Sequence, residues 1–140
     1  MSSRSRAQAL RRGLALAALL AACRPAQGPE PIAWDREPCA HCRMLISDPA
    51  FAAQLRAEDG SVESFDDPGC LLAQLGERHP REIWFHHLRE ERWIPGDRVA
   101  FELVPQTPMG YGFGAVDAGT AGALDLEAAR TRVAARGAGR

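Results

Sequence analysis

From residue 51 onward, apolar and polar residues fall in blocks short enough to be strands, with one block at helical spacing among them. Phe51 to Arg56 is apolar-rich, Asp59-Gly60 is a hairpin signal, and Val62 to Phe65 returns as a second extended piece. Asp67 is suited to cap a helix and Pro68 to open it. Leu71, Leu72 and Leu75 supply its apolar stripe, and Pro80 ends it. "EIWFHHL", residues 82–88, reads as a strand. The order is strand, strand, helix, strand.

A shorter version follows. "VAFELV", residues 99–104, is a strand, "TPMGYG" a turn-rich loop, Tyr111 to Asp117 extended, "AGALDL" a weak strand, and "EAARTRVAAR" a helix with Ala128, Ala129 and Val133 on one side. Phe51 onward and Phe113 onward both run Phe, extended segment, glycine-containing turn, extended segment, acidic residue, helix. A methionine precedes each, Met44 and Met109. The pattern is a weak internal repeat and predicts an α+β domain of two related units, the first over 39–92 and the second, shorter, over 93–140.

The preceding segment has a different character. Arg4, Arg6, Arg11 and Arg12 lead into the apolar run Leu14–Ala22, too short to span a membrane and typical of a secretory signal over 1–22. It ends in "LAAC", which resembles the bacterial lipobox and implies cleavage before Cys23 and lipidation of that thiol; a plain signal peptide is the alternative. Arg24 rather than Asp after the cysteine favours the outer membrane. Residues 23–38, with Pro25, Gly28, Pro29, Pro31 and Pro38, read as an extended tether. The location expected is the periplasmic face of a bacterial membrane.

The 140 residues carry 17 basic and 18 acidic side chains, and four of the basic ones lie in the leader, leaving 13 against 18, a net of −5. With no basic cluster in that remainder, nucleic acid is not an expected partner. No Ser-His-Asp or paired-carboxylate arrangement is legible, so no enzyme is expected. Of the four cysteines, lipidation of Cys23 leaves Cys39, Cys42 and Cys70, and three thiols cannot all pair within one chain.

Candidate chemistry centres on "CAHCRM", residues 39–44. A structural zinc site wants four ligands; there is no second C-x-x-C pair, although Cys70, His86 and His87 are available. A thiol–disulfide redox motif belongs between a strand and a helix, whereas a strand-like run follows here. Buried or disulfide-bonded cysteines are the plain alternative. Copper(I) is favoured by the thiolate and thioether together, both soft donors. If the segment is extended, Cys42 and Met44 share a face and form the core of the site, with Cys39 secondary and His41, which then points away, a candidate ligand of second rank. Met109, on a glycine-rich loop with no obvious core to fill, is the candidate third ligand, and a histidine is the alternative. Cys70 reads as a buried structural cysteine in the first turn of the helix, His86 and His87 as satisfied or surface histidines, Asp67 as a cap, and Trp34, Trp84 and Trp93 as core or interface.

The pieces "LAAC", "CAHCRMLI", "FAAQL", "FDDPGCL" and "TPMGYG", in that order, resemble the NosL family of nitrous oxide reductase accessory lipoproteins. The resemblance covers most of the chain after the leader. It implies two small related ββαβ units, periplasmic copper(I) binding, and delivery of copper to apo-nitrous oxide reductase. The stretch after "GYG" is compressed relative to the family, which shortens the second unit and leaves open another copper enzyme as client.

Overall fold

The computed structural model describes residues 27–76 and 78–138. The leader and Cys23 lie outside the described residues.

The first unit begins with β1 (Ala53–Arg56) and β2 (Val62–Phe65), joined by the turn at Gly60, whose φ of 90° favours a residue without a Cβ. Helix α1 (Pro68–Leu75), β3 (Glu82–His86) and β4 (Trp93–Pro95) follow. The sheet is antiparallel throughout, in the order β2-β1-β3-β4. Asp67 caps α1 by accepting from Gly69 N at 2.8 Å, and Pro68 opens it. The helix ends at Gly76 (φ 45°), before the expected stop at Pro80. Trp93–Pro95, placed with the second unit from the sequence, pairs with β3 and closes the first sheet.

The second unit comprises β5 (Val99–Leu103), β6 (Phe113–Asp117), β7 (Leu124–Asp125) and α2 (Leu126–Ala138). Its sheet runs β6-β5-β7, so the glycine-containing turn after β6 does not close a hairpin: β5 lies between the two strands. Among the described residues no strand follows α2. The molecule is thus α+β, a ββαβ unit followed by a shortened one. Ala129 and Val133 of α2 are buried, and α2 packs on α1. The two sheets share one core in which Phe101 meets Phe85 edge-on at 5.0 Å and Phe113 at 5.9 Å.

All of β1 is buried, its polar residues included, because each face is covered. Leu55 enters the core. Gln54 and Arg56, on the other face, are covered by the chain before the first unit. Gln54 exchanges hydrogen bonds with Glu30 (Glu30 N to Oε1, 2.8 Å; Nε2 to Glu30 O, 3.0 Å), and Arg56 Nη2 donates to Gly28 O at 2.9 Å. Ile32 is buried beside the sheet. The tether expected over 23–38 is therefore held to the domain from Gly28 on.

Candidate metal centre

Residues 39–44 form a tight turn. A bridge between Pro38 and Leu45 closes it, Cys39 N donates to Met44 O at 2.8 Å, and Arg43 N donates to Cys39 O at 3.1 Å. Closure requires a left-handed residue just after Cys42, and Arg43 takes it with φ 70°. Cys42-Arg43-Met44 is therefore not extended, and the strand alternation expected to put Cys42 and Met44 on one face is absent from this turn. The turn is fixed to the outer edge of β2 by Ala40 N donating to Ser64 O at 2.9 Å. Its curvature turns backbone N–H groups onto sulfur: those of Cys42 and His41, with that of Asp66, reach Cys39, and that of Met44 reaches Cys42.

The third thiol comes from α1. Cys70 follows the cap Asp67 by three residues, in the first turn, where the helix dipole favours negative charge. The sulfurs of Cys39, Cys42 and Cys70 all lie within 4.8 Å of one another, and all three cysteines are free. Three sulfurs on one ion with bonds of about 2.3 Å sit about 4 Å apart in a trigonal plane, so the cluster can hold a metal ion with little movement. Cys39 and Cys70 are buried, and Cys42 is half-buried and opens the cluster outward.

The thiols differ in acidity for identifiable reasons. The hydrogen bond from Cys70 pulls the Cys39 thiol far below its ordinary range, and the three backbone N–H groups add to the effect against the opposing cost of burial. Cys70, as donor to that sulfur and buried, is pushed far up. Burial raises Cys42. These shifts favour ionisation of Cys39 over Cys42 and Cys70.

Among the described residues both methionines are exposed, Met44 to 59% and Met109 to 36%. The loop carrying Met109 reaches the same helix end as Cys70, because Met109 N donates to Asp67 Oδ2 at 2.9 Å. His41 lies beside α1, its Nδ1 3.2 Å from Gln74 Oε1. His86 and His87 belong to β3 and the segment after it, across β1 from the turn on β2. They are engaged there, His86 Nδ1 with His87 O (3.2 Å) and His87 Nδ1 with Arg89 N (3.1 Å). Trp84 is buried and Trp93 half-buried, while Trp34 is exposed.

Cys70, expected from the sequence to be a buried structural cysteine, joins the cluster, and its sequence signal is its place in the first turn of a capped helix. Fold and cluster together define a small α+β domain that presents three convergent thiols at the junction of a hairpin turn and a helix N-terminus. No family model, curated protein or solved structure gives a match to this chain.

Proposed function

We propose that the protein is a copper(I) chaperone. The observation that carries the reading is the convergence of Cys39, Cys42 and Cys70 to within 4.8 Å, with exposed thioethers of Met44 and Met109 on the segments that flank the cluster. Soft, polarizable donors select a soft cation of low coordination number. Zinc in a structural site takes four protein ligands; among the described residues the cluster offers three donors of zinc's usual kinds, and the Asp67 carboxylate beside it is occupied by three hydrogen bonds. Half-buried Cys42 leaves an entry side through which a partner's ligands can take the ion by exchange, and no bond-making chemistry is assigned to the chain.

The family resemblance supplies the rest of the proposal. Cys23 carries lipid that holds the domain at the periplasmic face of a membrane, and the client is apo-nitrous oxide reductase or another cuproenzyme. The exclusion of nucleic acid rests on the acidic charge of the chain after the leader.

The test is titration of reduced protein with copper(I) against a competing chelator. One copper per chain with several sulfur scatterers by X-ray absorption supports the reading. A chain that takes no copper(I) but cycles a disulfide with a dithiol partner is a redox module instead, and one that unfolds on zinc chelation is a zinc-stabilised binding module. Incubating the copper-loaded protein with different apo-cuproenzymes identifies the client by which one gains activity. Cys23→Ser should move the protein from the membrane to the soluble fraction.

A further inference from the structure

We infer that Asp67 is a positioning residue of the metal centre: with the Thr107 hydroxyl, its buried carboxylate fixes Met109 of the second unit against the helix end that carries Cys70. The inference rests on the copper(I) reading above and adds to it the device that joins the two units at the ion.

Capping α1 needs one carboxylate oxygen, and Oδ1 serves it by accepting from Gly69 N at 2.8 Å. Asp67 is nonetheless fully buried, and its second oxygen has nothing to do with the helix. Oδ2 accepts the Thr107 hydroxyl at 2.6 Å and Met109 N at 2.9 Å, both from the second unit. Thr107 in turn organises the loop: its Oγ1 accepts from Gly112 N at 3.2 Å and its carbonyl from Gly110 N at 3.0 Å. The Tyr111 ring presses on Gly69, where an added Cβ would stand 2.0 Å from Tyr111 Cγ. The motifs "DDPGC" and "TPMGYG" thus dock on each other through Asp67 and Gly69.

The loop is held by backbone and flanking groups while the Met109 side chain stays partly exposed. Packing alone would bury the thioether; a ligand must leave it accessible. The other side of the same junction faces the cluster, since the N–H of neighbouring Asp66 points at the Cys39 sulfur. One helix start therefore bears the third thiol, a hydrogen bond to the first thiol, and the anchor of Met109. Outer partners of this kind orient a metal's ligands without touching the ion.

The test is a double-mutant cycle on the full chain, read by copper(I) competition and X-ray absorption. Thr107→Val keeps the shape and removes the hydroxyl; Asp67→Asn keeps an oxygen to cap Gly69 N but loses the second carboxylate oxygen. Each should weaken copper(I) binding by roughly 10- to 100-fold and remove one sulfur scatterer. In a Met109→Leu background neither should weaken it further. Should Asp67→Asn fail to fold, Thr107→Val alone completes the cycle. Additive losses in the double variants would assign Asp67 and Thr107 a purely structural role and overturn the inference. If the native chain binds copper(I) but Met109→Leu has no effect, the thiol site stands and the role of Asp67 falls. If the native chain binds none, the copper reading fails and takes this inference with it.

Discussion

The sulfurs of Cys39 and Cys70 lie within 4.8 Å of each other, bringing the start of α1 to the turn on the outer edge of β2. The pair makes Cys39 and Cys70 members of the site on equal terms with Cys42. Serine in place of any one of the three should weaken copper(I) binding by comparable factors, at least the roughly 10- to 100-fold that a lost outer partner produces. Competition titrations of the three variants check this. If Cys70→Ser binds copper as the native chain does, Cys70 is packing and the site reduces to the turn.

Proton release reports the same geometry. With Cys39 shifted toward the thiolate and the other two thiols toward the protonated form, loading all three sulfurs at neutral pH should release fewer than three protons, because metal-bound cysteine is thiolate. Calorimetry in buffers of different ionisation enthalpy measures this number. Release of three would mean that Cys39 is an ordinary thiol.

The metal-free stability should follow pH in two limbs. The depressed Cys39 value contributes stability that is complete above the ordinary 9.0 and is lost as pH falls toward the folded value. The raised values of Cys42 and Cys70 contribute stability that is complete below 9.0 and lost as pH rises past it. The thiol contribution therefore peaks near 9.0. Denaturation of reduced protein across this range should show the rising limb, and Cys39→Ala should flatten it.

Where signals are local, the sequence is legible. Asp67-Pro68 with three leucines gives α1, and Asp59-Gly60 gives the β1–β2 hairpin, because capping and turn geometry depend on adjacent residues. Non-local pairing is harder. Nothing adjacent to β6 or β7 says that β5 will lie between them, and nothing near Trp93 says that it joins the first sheet. At the site, the C-x-x-C-x-M pattern marks the place but not the shape. Arg43 gives no glycine-like warning of its left-handed backbone, and Cys70 joins the cluster only once α1 is docked.

The Gly69–Tyr111 contact separates packing from helix propensity. Alanine is the better helix former by about 1 kcal/mol, and Gly137→Ala in α2, with open space around its Cβ, should be neutral or stabilising within that amount. Gly69→Ala must instead displace the Tyr111 ring, whose nearest atom would be 2.0 Å from the new carbon, and should lower stability by about 1–3 kcal/mol. Equal behaviour of the two variants in denaturant titrations would show that the ring yields freely.

The segment before the first unit should behave as part of the domain. Gln54 is buried, and three of its hydrogen bonds hold Glu30 and Ser64. Gln54→Ala removes all three and leaves the buried Ser64 hydroxyl without that partner, a loss of about 1–3 kcal/mol by the usual penalty for unpaired buried groups. Arg36 lies on this segment and is exposed, so trypsin can report its docking. Cleavage after Arg36 should be slow in the native chain and faster in Gln54→Ala, because a protease needs the backbone lifted from the sheet. Equal cleavage rates in the two would mean that the other contacts of the segment, among them Asp35 N to Ile46 O at 2.9 Å and Ile46 N to Glu37 O at 3.0 Å, hold it without Gln54.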